Sequence, residues 1–180
     1  AEETFTTPGV ATPGTGWMWE DLENAYGAPV AALSCNDNTI RFRIHAADVA
    51  GQPCRVDWLE PWEALTLRNL TLSVGTDPVE NLAARRPMGS AEVILTGQMR
   101  TGAPTAVLSV PVFDPGRFFL RTLTNTLAQQ GIRITGGAEV RPATALSGIR
   151  PVLAVVESPP LSELVRVMLK ESHNLTACLV

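Results

Sequence analysis

The chain has 180 residues, of which 45% are hydrophobic and 18% charged, a composition typical of a folded globular protein. Its formal net charge is −4 and it has no basic block, so we expect no nucleic-acid partner. The longest apolar run, residues 152–156, is too short to cross a bilayer, so we expect no transmembrane segment.

Cysteines and histidines indicate neither a metal site nor a disulfide framework. No Cys-x-x-Cys spacing occurs, and two histidines, His45 and His173, are too few for a histidine-based site. If residues 48–52 form a hairpin turn, Cys54 should face a residue near His45. Reduced cysteines are therefore favoured over a Cys35–Cys54 bridge, and we expect no cofactor.

The first 27 residues predict an arm followed by a segment rich in tryptophan and acids. Residues 1–16 lack periodicity and read as a loop. Trp17 and Trp19 then lie close to Asp21 and two glutamates, and such a wet aromatic surface can bind a ligand with an amine and an apolar chain. On residue types alone, a short helix with one of these tryptophans in the core is the favoured alternative.

Residues 28–104 predict short strands joined by turns. Residues 39–46 alternate cleanly, with Ile40, Phe42 and Ile44 on one face and Arg41, Arg43 and His45 on the other. Residues 54–59 are a candidate hairpin partner, and residues 66–74 and 92–99 are further strands. Residues 66–74 alternate through Leu70, Leu72 and Val74. We therefore predict an antiparallel sheet.

The pattern changes to strand–helix units near residue 105. A strand over residues 105–112 precedes a helix capped by Asp114, with Pro115 at its first position and Gly131 after its end. Its apolar stripe is Phe119, Leu120, Leu123 and Leu127. Residues 132–135 and 152–156 predict two more strands, the second one buried. The predicted domains are residues 1–27, 28–104 and 105–180.

A last helix begins near Ser158, which we predict as its cap. Its apolar residues are spaced at i, i+3, i+4, i+7 and i+8, and they are Leu161, Leu164, Val165, Met168 and Leu169. Ser172 continues this stripe, so burial of the stripe would carry its hydroxyl inward, just before His173 and Asn174. Periodicity alone favours a plain amphipathic helix followed by a polar turn.

Two stretches at this end resemble a known family. Ser-Pro-Pro-Leu-Ser-Glu-Leu at residues 158–164 and Met-Leu-Lys-Glu-Ser-x-Asn at residues 168–174 are similar to the second active-site motif of D-alanyl-D-alanine carboxypeptidases, closest to class C low-molecular-mass penicillin-binding proteins. Residues 16–38 and 113–134 also resemble segments of these enzymes. The resemblance implies an α+β fold: an antiparallel β-rich insertion domain, then part of a penicillin-recognising, serine β-lactamase-like α/β domain.

The resemblance also implies a chemistry and site residues. It implies acyl transfer at D-Ala-D-Ala stem peptides of peptidoglycan, with β-lactams as further ligands, in an exported, periplasmic or cell-envelope enzyme. Ser172 matches a residue that relays a proton, and Asn174 one whose amide holds the substrate. Asp21 and Tyr26 match positions on the rim of the substrate cleft, where an acid can pair with the free amine of the stem-peptide side chain and Trp17 or Trp19 can pack beside it. His173 departs from the Asp or Asn often found between the two motif residues, and it receives no catalytic role.

Part of the family's apparatus is absent from these 180 residues. Lys170 is the sole lysine, and it belongs to neither Ser-x-x-Lys nor Lys-Thr-Gly. We therefore expect an internal fragment that is inactive by itself and prone to self-association. Two alternatives remain open: residues 28–104 form a non-catalytic docking or spacer module for the cell wall, or the chain is a degenerate homologue.

Overall fold

A computed structural model describes residues 2–3, 16–75, 81–142, 151 and 154–179. The chain forms two compact units, of which one comprises Gly16–Ala28 and Thr39–Val112 and the other comprises Ala1–Thr15, Pro29–Asn38 and Phe113–Val180. The units divide at residue 112 rather than near residue 105, because the strand at Ala106–Pro111 pairs within the first unit. The assignment of an insertion domain and a transpeptidase-like part stays a prediction.

The first unit contains an antiparallel sheet that follows the predicted alternation. Strands β2 (Thr39–His45), β3 (Arg55–Trp58) and β7 (Ala106–Pro111) lie in the order β3-β2-β7. The β2 side chains of Ile40, Phe42 and Ile44 are fully buried, while Arg41 and Arg43 are exposed. The period-two pattern therefore assigned both faces of β2 correctly.

The second sheet of this unit corrects the expectation of purely antiparallel pairing. Strands β4 (Thr66–Val74), β5 (Ala83–Arg85) and β6 (Glu92–Arg100) lie in the order β4-β6-β5. β4 and β6 are parallel along their whole length, whereas β5 is antiparallel to β6. Parallel neighbours require a crossover connection rather than a hairpin turn, and β5 lies between β4 and β6 in the sequence.

The inward face of β4 also differs from the prediction. Leu70 and Leu72 are 50% and 42% exposed, while Thr71 and Ser73 are buried. Thr71 donates a hydrogen bond to Asn69 (2.7 Å), and the Ser73 hydroxyl accepts one from the Ala47 amide (2.7 Å). These bonds satisfy the buried hydroxyl groups, so the polar side of the strand faces inward.

The second unit contains a helix that begins and ends as predicted. Helix α1 spans Pro115–Gln129, the Asp114 carboxylate accepts the Arg117 amide at 3.0 Å, and Gly131 follows with a φ of +78°. Phe118 and Leu120 are its large buried side chains, whereas Leu123 of the predicted stripe is exposed. The short strands β1 (Glu2–Glu3) and β8 (Arg141–Pro142) pair in parallel in the same unit.

Two predicted strands of this unit are wrong where the structure describes them. Residues 132–135 are irregular, and residues 154–156 form neither a strand nor a buried segment, with Val156 95% exposed. Residues 152 and 153 lie outside the described residues. A short apolar run forms a strand only if a neighbouring strand pairs with it, and these residues pair with no described strand.

The last two helices are α2 (Leu161–Glu171) and α3 (Asn174–Leu179). Pro160, rather than Ser158, precedes α2 at the cap position, and it supplies no side-chain hydrogen bond. No residue of α2 is buried, and Leu169 is 73% exposed. The predicted helix is thus present, but the predicted burial of its stripe is wrong for the described chain. Within the described residues, none of the helices has the length and apolar character needed to span a membrane.

Candidate functional site

The structure brings three predicted site residues together in the first unit. The Tyr26 hydroxyl donates to Asp21 Oδ1 at 2.8 Å, and the Met18 amide donates to Asp21 Oδ2 at 3.0 Å. The rings of Trp17 and Tyr26 lie 5.8 Å apart between centroids, at an angle of 32°. We call Trp17, Asp21 and Tyr26 the aromatic–acid cluster.

A close approach between two short helical turns forms this cluster. Only Asn24 separates the 3-10 turns Asp21–Glu23 and Ala25–Gly27, and Leu22 of the first turn is buried. A Cβ atom on Gly27 would lie 2.2 Å from the carbonyl oxygen of Asp21, so only glycine fits there. Sequence reasoning did not identify Gly27, although a glycine next to the candidate Tyr26 was the available signal.

The cluster is accessible and carries a hydrogen-bonded carboxylate. Trp17 is half-buried, Tyr26 is exposed and Trp19 is 68% exposed, so the alternative of a tryptophan in the core is wrong. The hydrogen bond to Asp21 raises the pKa of the Tyr26 phenol above its ordinary value, and desolvation and the Asp21 charge act in the same direction. Such a carboxylate beside aromatic rings can accept an ammonium group together with an apolar chain.

The second set of predicted residues, Ser172, His173 and Asn174, forms a turn between α2 and α3. Ser172 ends α2 in the left-handed conformation (φ 52°), with its amide donating to the Met168 carbonyl, and the His173 amide donates to the same oxygen at 3.1 Å. Asn174 is the first residue of α3 and is half-buried. We call these residues the Ser-His-Asn turn.

Ser172 is exposed, so the inward position predicted from the α2 stripe is wrong in the described chain. The prediction assumed that the helix continues without a break through Ser172. The left-handed cap changes the direction of the chain at that residue, and the helical phase no longer applies.

His173 makes contacts that the sequence did not predict. Its Nδ1 lies 2.7 Å from the Thr176 hydroxyl and accepts the Thr176 amide at 3.3 Å. Its Nε2 lies 3.4 Å from Asp37 Oδ1. Asp37 belongs to the same compact unit although it is far away in sequence, so no local pattern could have identified this pair.

The turn that carries Asp37 is tightly held. Asn36, Asp37 and Asn38 all have positive φ angles, of 49°, 53° and 52°. Asn38 is fully buried, and its side-chain amide donates to the Pro29 carbonyl and to the Ser34 hydroxyl, each at 2.9 Å. Nothing in the local sequence pattern indicated the anchoring role of Asn38, because its partners were not known before the fold.

Within the part of the chain that the structure describes, no group of three or more His, Cys, Asp or Glu side chains is arranged to hold a metal ion. Cys35, Cys54 and Cys178, all within the described residues, form no disulfide bond. Among the predicted site residues, the polar groups that could take part in chemistry are the carboxylate and phenol of the aromatic–acid cluster and the side chains of the Ser-His-Asn turn.

Comparison with solved structures supports the fold. Penicillin binding protein 4 from Haemophilus influenzae is similar with a TM-score of 0.61 and 20% identity, over 96% of this chain and 37% of that one. The same protein in complex with a β-lactam gives a TM-score of 0.55 and 17% identity, over 84% and 34% of the two chains. The α+β fold class predicted from the sequence is thereby confirmed.

Comparison with known sequences gives the family. A curated relative, penicillin-sensitive carboxypeptidase A from Dictyostelium discoideum, is 27% identical over 167 residues, which is 91% of this chain and 32% of the relative. The chain thus spans about a third of the length of that relative. The D-Ala-D-Ala carboxypeptidase 3 (S13) family matches residues 9–180. The chain therefore belongs to the S13 family of D-Ala-D-Ala carboxypeptidases.

Proposed function

We propose that the chain is part of a serine-type D-Ala-D-Ala carboxypeptidase or endopeptidase that acts on peptidoglycan stem peptides in the cell envelope. The family match over residues 9–180 carries this proposal. The reaction passes through an acyl-enzyme, in which a serine outside these 180 residues attacks the scissile carbonyl and the terminal D-alanine leaves as an amine. β-Lactams acylate the same serine.

In this reaction the Ser172 hydroxyl relays the proton from the nucleophile to the leaving amine. The Asn174 amide holds the substrate backbone, because an amide donates and accepts hydrogen bonds without changing charge. The left-handed cap at Ser172 supports this assignment, since it turns the serine out of the α2 stripe and leaves its hydroxyl exposed.

The aromatic–acid cluster supports a role in substrate selection. Asp21 pairs with the free amine of the stem-peptide side chain, and Trp17 packs along its apolar part. The Met18 amide and the Tyr26 hydroxyl each hold one carboxylate oxygen of Asp21, so the carboxylate has a defined orientation before a ligand arrives.

Labelling with a fluorescent penicillin tests the function. The protein encoded by the complete gene should be labelled covalently, and Ser172→Ala in it should slow acylation by about 10²- to 10⁴-fold, the range of one acid–base group. Ser162→Ala, at an exposed position on α2, is the matched control and should acylate normally. The 180-residue chain should remain unlabelled, and its labelling would contradict the assignment of the nucleophile to another part of the protein.

A further inference from the structure

We infer that Asp37 is a positioning residue that orients the Ser-His-Asn turn through the His173 ring. The first step concerns the proton on that ring. The Thr176 backbone amide can only donate, so the Nδ1 atom that accepts it carries no hydrogen. A neutral His173 must then carry its hydrogen on Nε2.

The second step concerns the partner of Nε2. The Asp37 carboxylate oxygen lies 3.4 Å away, and a carboxylate only accepts. The ring therefore links two groups: its Nδ1 receives the first-turn amide of α3, and its Nε2 faces the Asp37 carboxylate at 3.4 Å. His173 thus acts as the cap of α3, and Asp37 selects the tautomer that makes this possible.

The third step concerns why Asp37 stays in place. Asn36, Asp37 and Asn38 adopt left-handed angles, which asparagine and aspartate tolerate better than other non-glycine residues, and the buried Asn38 amide holds the turn through its bonds to Pro29 and Ser34. A well-anchored turn that presents a carboxylate to the motif histidine is consistent with a positioning role.

The consequence for the site rests on the proposed function. Asn174 is the first residue of α3, directly after His173, so the orientation of its amide depends on how α3 begins. Asp37 therefore contributes to substrate binding without touching substrate.

Nuclear magnetic resonance of the 180-residue chain tests the contact directly. The chain has two histidines, His45 and His173, and His45 Nε2 lies 2.9 Å from Asp57, which provides an internal control. In ¹⁵N-histidine-labelled protein at about pH 8.5, where an ordinary imidazole is neutral, His173 should show the Nε2–H tautomer. Asp57→Asn should move only the His45 signals. An Nδ1–H tautomer at His173 would overturn the inference.

Amide exchange at Thr176 tests the role of Asp37. Glycine tolerates the positive φ at this position, so Asp37→Gly should leave the turn intact. It should accelerate exchange of the Thr176 amide roughly two- to tenfold, which corresponds to the loss of one modest hydrogen bond. Asp37→Asn keeps an accepting oxygen and should retain most of the protection. His173→Asn supplies its own cap, so Asp37→Gly should have no further effect in that background. The positioning role would be refuted if Asp37→Gly accelerated Thr176 exchange equally in the His173→Asn protein, or if it caused no acceleration in the native protein.

Acylation of the full-length protein separates this inference from the proposed function. Asp37→Gly should slow labelling by fluorescent penicillin about tenfold or more, because misplacement of a substrate-holding group is costly. Asp37→Asn should be labelled at close to the native rate. If the unmodified protein is not labelled, the proposed function fails while the tautomer result stands. If it is labelled but Asp37→Gly labels equally fast, the inference fails and the proposed function stands.

Discussion

Replacing Gly27 with alanine should disrupt the aromatic–acid cluster through one steric contact. The added Cβ would lie 2.2 Å from the Asp21 carbonyl oxygen and 2.8 Å from its carbonyl carbon, and both are backbone atoms that no rotamer change can remove. To reach ordinary contact, the two 3-10 turns must separate by about 1 Å. That movement would stretch the 2.8 Å bond between Tyr26 and Asp21 beyond hydrogen-bonding range.

The expected cost is about 1–3 kcal/mol of unfolding free energy, the usual range for overpacking against a rigid neighbour. Urea unfolding followed by tryptophan fluorescence measures it, because all four tryptophans lie in the same compact unit as Gly27. Gly75→Ala is the matched control: it lies in the same unit, an added Cβ meets nothing within 4 Å, and its stability should change by less than about 1 kcal/mol. Equal stability of the two variants, with an unchanged Tyr26 pKa, would refute the close-contact argument.

Two further predictions concern Tyr26 and Ser172. Tyr26 is the sole tyrosine, so tyrosinate absorbance should give a midpoint above the ordinary value, and Asp21→Ala should lower it while Glu20→Gln barely changes it. Since the folded pKa is raised, this contribution to stability is present below the unfolded pKa of about 10 and is lost as pH rises through the folded pKa. A midpoint unaffected by Asp21→Ala would contradict the assigned cause. Ser172→Gly should stabilise the end of α2 by about 1 kcal/mol, because its φ is 52°, whereas Ser162→Gly inside the helix should cost about as much. Hydrogen exchange of the α2 amides measures both changes in helix stability. Slower exchange in Ser162→Gly than in Ser172→Gly would contradict this prediction.

Several features of this protein follow from local sequence alone. The alternation in residues 39–46 correctly assigned the two faces of β2, and Asp114-Pro115 and Gly131 marked the ends of α1, because such signals depend on neighbouring residues only. The motif around Ser172 and Asn174 identified the family, since its flanking residues can be recognised without coordinates. Trp17, Asp21 and Tyr26 lie within ten consecutive residues, so the sequence itself limits how far apart they can be, while their role as site residues stays a prediction.

Tertiary structure decided what depends on distant partners. Thr71 and Ser73 face inward, where Thr71 donates a hydrogen bond to Asn69 and Ser73 accepts one from the Ala47 amide, and alternation alone cannot tell a polar inner face from an outer one. The parallel pairing of β4 with β6 depends on the path of the chain between them. The contact between Asp37 and His173 joins residues far apart in sequence, and periodicity carries no information about such a pair. The sequence thus determined the local elements and the family, while long-range contacts decided which side chains meet.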